Sequence, residues 1–265
     1  MAIIKVMNPT GWKPPTGIDG VSFDEIHKLF ASSSYGEILR QRVRYSHYKP
    51  EEVSNEEWVR ILGPDVNDLE HLKTSFAVTQ DFIYRARYPH PEWQSGEVNF
   101  SLEEEEVLCL TALVHDWGEA VLGDIAWHKK TADDGKAELE VLRALIEEFG
   151  RYKFVDPVVE KMHRAANVAF KKEEHLGYAF EAIEYRGYIG NAIRAWQERL
   201  NYSKPLSDLL AGLAKKIIAE NLPIFQKYNA VYPASHYYSL ENEKTLKEIQ
   251  EANIDWRTVP ILANN

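Results

Sequence analysis

The residues with the most chemical potential lie in one run, Leu113-Val114-His115-Asp116-Trp117-Gly118-Glu119-Ala120-Val121-Leu122-Gly123-Asp124-Ile125. An imidazole and three carboxylates stand where the preceding pattern demands apolar side chains. A carboxylate sunk in such a segment is costly unless it is paired or bound to a cation. Read as one continuous helix, the run puts Glu119 on the same face as His115 and Asp116, four and three residues behind it. That face offers an imidazole, a ligand carboxylate and a second carboxylate able to orient a water or carry its proton. The His-Asp dipeptide alone means little, because chance supplies about 0.4 such pairs in a chain of this composition.

The elements that must position these groups are helices. Composition is ordinary for a globular chain, 45% hydrophobic and 27% charged over 265 residues, which excludes disordered, collagen-like and coiled-coil readings. Apolar residues recur at three and four, and strand-like alternation is almost absent, so the fold class is all-α. The pattern predicts helices over 24–31, 35–44, 67–88, 102–118, 136–149, 157–170, 173–200, 205–228 and 241–252. Ser101 followed by Glu104 is a capping box, and Pro157 and Pro205 suit a first helical turn. Two Gly/Pro-rich stretches, 8–20 and 88–96, read as loops. The helix from Leu102 is apolar nearly all round, which implies burial at the centre of a bundle and a functional site at its C-terminal end.

The formal net charge of −10 disfavours a duplex nucleic-acid binder, which needs basic stripes. A small phosphorylated substrate remains compatible, because one bound metal ion reverses a local potential. No apolar run approaches a membrane span, and the N-terminal residues turn polar before a signal-peptide core could form. The one cysteine, Cys109, excludes an intramolecular disulfide framework and fits a reducing cytoplasm, which is the expected location.

The eleven residues His115 to Ile125 resemble the signature of the HD-domain metal-dependent phosphohydrolases, in the branch with His-Asp-x-x-Glu-x-x-x-Gly-Asp that includes the 5′-deoxynucleotidases. The resemblance covers about residues 60–200. It implies an HD-domain helical bundle over 60–200, an N-terminal helical extension over 1–59, and a C-terminal extension over 201–265 packed on the core. It further implies one divalent metal ion held by four side chains. His71, in Glu70-His71-Leu72, matches the family's first histidine, and His115 and Asp116 match its central pair. The segment Ala179-Phe180-Glu181-Ala182-Ile183-Glu184 matches the distal ligand segment but offers Glu181 where aspartate is usual. Glu184 is the alternative in a shifted register. Glu119 and Asp124 match the family's acidic pair and are the expected catalytic residues, Glu119 at the water and leaving group, Asp124 in a supporting or substrate role. Lys129 and Lys130 are the nearest cations in sequence for a phosphate, and Lys136 opens the next helix.

The implied function is hydrolysis of a phosphate ester of a nucleotide or similar small metabolite. Two imidazoles and two carboxylates suit manganese, cobalt, iron, nickel or zinc, and suit magnesium less. Two alternatives stand beside it. One is a triphosphohydrolase or phosphodiesterase of the same superfamily, although Gly118-Glu119 replaces the Gly-Lys of the cyclic-dinucleotide branch. The other is a non-catalytic metal-binding regulatory protein, for which Glu181 is the best support. The family often dimerises, and the terminal extensions offer surface for a homodimer. His163 and His175 read as packing or solvated residues, and Trp117 or Trp127 as candidates to line a nucleobase pocket.

Overall fold

The apolar residues spaced at three and four fold as helices, and the only strands among the described residues form a single two-residue hairpin, Gly17–Ile18 against Val21–Ser22. A computed structural model of the protein describes residues 13–87, 100–123, 131–171, 174–229 and 240–259. In chain order the helices are α1 (Phe23–Ala31), α2 (Ser34–Gln41), α3 (Asn55–Leu62), α4 (Asp68–Arg87), α5 (Leu102–Val114) and the single turn α6 (Glu119–Leu122). There follow α7 (Ala132–Lys153), α8 (Asp156–Ala169), α9 (Glu174–Glu198), α10 (Leu206–Asn229) and α11 (Leu240–Glu251). No described helix is long and apolar enough to cross a membrane.

The caps follow from residue type. Ser101 accepts from the backbone of Glu104, and Glu104 reaches back to Ser101, so the expected capping box forms at the head of α5. From Val107 to Val114 every residue of α5 is buried, which makes it the central rod of the bundle. Glu105, fully buried on the same helix, is ion-paired with Arg87 at the end of α4.

Two hydrophobic cores divide along α9. Phe180 and Ile183 join α1, α2, α4, α5, α7 and α8 in the first. Ile189, Ile193 and Trp196 join α3, α10 and α11 in the second. Residues 13–59 are shared between them: Phe23, Phe30 and Leu39 belong to the first core, Val43, Tyr48 and Trp58 to the second. Leu210, Leu213 and Phe225 of α10 and Ile249 of α11 pack in this second core with the later half of α9.

Several boundaries differ from expectation for local reasons. Helix α2 stops at Gln41, and Arg42 is extended with ψ 130°. The hydrogen bonds given up there are replaced across the chain: Val43 bridges Asn67, Arg44 N–H donates to Val66 (2.7 Å), and Asp68 N–H donates to Arg42 (3.3 Å). Helix α5 stops at Val114. Beyond His115 the bonds tighten to three-residue steps, Trp117 to Val114 and Glu119 to Asp116, both 3.0 Å. A side chain at Gly118 would crowd the Glu138 carbonyl, 3.1 Å from its Cβ. Gly123, at φ +91°, ends α6. Helix α7 starts four residues ahead of Lys136 because Thr131 and Asp134 form a capping box. Helix α3 was not expected, although Ser54 caps it by accepting from Glu57. The stretch read as a loop over 8–20 contributes one strand of the hairpin. The loop over 88–96 lies outside the described residues.

Candidate metal centre

Three helices and a turn bring the polar residues of the interior together. His71 lies on the first turn of α4, its backbone N–H bonded to Asn67 at 2.8 Å. His115 caps α5, Asp116 follows it, and Glu184 projects from the middle of α9. His71, His115 and Asp116 form a cluster able to hold a metal ion. The Nε2 atoms of the two histidines are 3.4 Å apart, and Asp116 Oδ2 is 3.2 Å from His115 Nε2 and 3.7 Å from His71 Nε2. Glu184 Oε2 lies beside the two histidines, 3.3 Å from His71 Nε2 and 3.6 Å from His115 Nε2.

These separations fit an ion. Donors bound at 2.0–2.2 Å in a tetrahedron lie about 3.4 Å from one another, and the three distances among His71, His115 and Asp116 scatter around that value, with Glu184 at a like distance from the two histidines. The tautomer fits too. His115 Nδ1 is 3.1 Å from the Ala112 carbonyl and donates to it, so Nε2 is the nitrogen turned to the cluster. The two rings meet edge to face with centroids 5.3 Å apart.

The electrostatics of the ion-free cluster follow from two carboxylates buried against two imidazoles. Burial alone would favour neutral forms, but the Asp116 and Glu184 charges outweigh it and raise His115 well above the usual histidine range. In return His115, His71 and Arg44 hold Asp116 far below the usual carboxylate range, and the two histidines do the same for Glu184, each against the opposing effect of burial. Both carboxylates are therefore ionised at neutral pH, as ligands to a divalent cation must be.

The cluster opens into a cavity of about 360 Å³ whose wall includes Arg44, Glu119, Lys171, Glu181, Tyr185 and Tyr188. Arg44 donates through Nη2 to the Tyr188 hydroxyl at 3.0 Å, while its Nη1 is buried without a hydrogen-bond partner. A guanidinium so placed is a ready anion donor. Lys171, held at φ +55° just past α8, is ion-paired with Glu181 across the cavity wall.

Of the residues marked out in the sequence, His71, His115 and Asp116 come together as expected. Glu181, the first choice for the fourth ligand, instead faces Lys171 at 2.5 Å, and Glu184, one turn later on α9, takes the place beside the histidines. Glu119 lines the cavity, but through the turn after α5 rather than on a continuous helix face; its carbonyl accepts a hydrogen bond from Arg42. Asp124, Lys129, Lys130 and Trp127 lie outside the described residues. Lys136 is exposed and paired with Asp133 at 3.1 Å, away from the cavity wall. Trp117 is core, stacked on Phe30 at 4.2 Å, and does not line the cavity. His163 pairs with Glu147 at 2.7 Å. Arg44 and Lys171 were not singled out in the sequence. Comparison with protein-family models, characterised proteins and solved structures gave no match to this chain.

Proposed function

We propose that the chain is a metal-dependent phosphohydrolase that cleaves a phosphate ester of a nucleotide or similar small metabolite, working with one divalent ion such as manganese, cobalt, iron, nickel or zinc. The observation that carries the reading is the cluster of His71, His115 and Asp116 at ligand spacing, with Glu184 beside the histidines and a buried, partly unpartnered Arg44 at the cavity wall. A bound ion would supply Lewis-acid polarisation of the phosphate and acidify a water.

The chain's own residues do the remaining work. Arg44 Nη1 supplies a charge-assisted hydrogen bond to a phosphate oxygen, and its position is fixed from behind by Tyr188. Lys171 supplies a second cation at the cavity wall once the anion competes with Glu181 for it. Glu119 accepts the proton of the attacking water and returns one to the leaving oxygen. Tyr185 and Phe170 line the cavity, whose volume of about 360 Å³ limits it to a small organic group.

Mutation of the proton carrier separates this reading from a non-catalytic metal protein. Glu119→Gln should lower turnover by about 10²–10⁴-fold while the metal content stays that of the wild type. Equal turnover in the variant would remove Glu119 from the chemistry, and no turnover in either protein would favour the regulatory alternative.

A further inference from the structure

We propose that Ser75 is a positioning residue of the metal centre: its hydroxyl holds one oxygen of Glu184 so that the other faces the ion. The inference rests on the metal-centre reading above and adds a residue to it. Ser75 is buried on α4, one turn after His71 and on the same face. Its Oγ donates to Glu184 Oε1 at 2.9 Å, joining α4 to α9. The same Oγ lies 3.3 Å from His71 Nε2.

The two threonines of α4 show why this bond is unusual. Thr74 donates back to the Glu70 carbonyl at 3.2 Å, and Thr79 donates back to the Ser75 carbonyl at 2.8 Å. That back-bonding is the default for a hydroxyl within a helix. Ser75 instead spends its one proton across the interface on a carboxylate. A serine hydroxyl has a single proton, so the bond to Glu184 leaves only lone pairs toward His71.

The two oxygens of Glu184 are thereby given different tasks. Oε1 is held by Ser75, and Oε2 points at the two Nε2 atoms, 3.3 and 3.6 Å away. Glutamate has one more rotatable bond than aspartate, and a ligand of that length needs an anchor to keep one oxygen at a coordination position. Glu181, one turn earlier, makes no such bond and pairs with Lys171. The anchoring hydroxyl is what selects Glu184 as the fourth ligand.

The test is a double-mutant cycle read by metal affinity, with cobalt as the probe and a chelator as competitor, on the full chain. Ser75→Ala should weaken cobalt binding by about 10–100-fold, the usual cost of losing a residue that orients a ligand. In a Glu184→Gln background the same substitution should change affinity by less than about threefold, because the carboxylate it orients is gone. Ser75→Thr, which restores the hydroxyl, should recover most of the loss. Ser75→Val, the shape of threonine without its hydroxyl, should behave like alanine and replaces it if Ser75→Ala does not fold. Unchanged affinity in Ser75→Ala, or the same loss in both backgrounds, overturns the proposal. His115→Ala is the control: if it loses cobalt while Ser75→Ala does not, Ser75 alone is misassigned. If His115→Ala binds as tightly as the wild type, the centre itself is misplaced and the role of Ser75 falls with it.

Discussion

Replacing Glu184 by glutamine, with Glu181→Gln as its partner experiment, decides which carboxylate of α9 belongs to the centre. Glu184 Oε2 lies within 3.6 Å of both imidazoles, and its side chain is 14% exposed. Removing one member of a buried charge pair costs about 3–5 kcal/mol. At about 1.4 kcal/mol per decade, cobalt or manganese binding should weaken by roughly a hundredfold to a few thousandfold. Glu181 is no closer to the histidines than its ion pair with Lys171 allows, so Glu181→Gln should leave metal affinity within about threefold of the wild type. Its effect should fall on phosphate: with the competing carboxylate gone, Lys171 is released and inorganic phosphate should inhibit more strongly. Chelator competition measures the first quantity and product inhibition the second. A large loss of metal in Glu181→Gln with none in Glu184→Gln would refute the assignment and restore the register first expected from the sequence.

Arg44→Ala should raise the KM for a phosphomonoester by about 10–100-fold, the range for losing a hydrogen bond to a charged group, without weakening cobalt binding. Steady-state kinetics beside chelator competition checks both, and parallel loss of metal would mean that Arg44 supports Asp116 rather than substrate. His27 is buried and has its pKa lowered, first by burial and then by Lys73, against the opposing charges of Glu70 and Asp24. Its folded pKa lies below the unfolded value of about 6.5, so the unfolded chain takes up more protons as pH falls through that region, and stability drops. His27→Leu should flatten the fall in the urea midpoint between about pH 7 and pH 5. An identical slope in the variant would show that His27 titrates normally in the fold.

How much was legible in the chain depended on whether spacing or tertiary placement set the answer. The central helix α5 could be read from its all-round apolar pattern and its Ser101–Glu104 cap, and burial of the whole run from Val107 to Val114 follows. His71, His115 and Asp116 were legible because residue type and the resemblance pointed to the same positions. Glu184 was not, because Glu181 and Glu184 are three residues apart on one helix and share a face. Only the contacts from other elements, Ser75 for one and Lys171 for the other, tell them apart. Arg44 was hidden by a propensity argument that carried α2 through it. The hydrogen bonds with Val66 and Asp68 that stop the helix come from a segment more than twenty residues away. The face shared by Glu119 with His115 assumed a helix that continues past Val114; the chain tightens into turns there, and Glu119 reaches the cavity by another path.

The most direct test of the central claim is turnover on metal restoration. The chain is stripped of metal, refilled in turn with manganese, cobalt, nickel, zinc and magnesium, and offered nucleoside mono- and triphosphates while free phosphate and nucleoside are followed. The account predicts release of one phosphate from a monophosphate, dependent on the added ion and lost in His115→Ala. Tight binding of the ion with no turnover of any phosphate ester would contradict it.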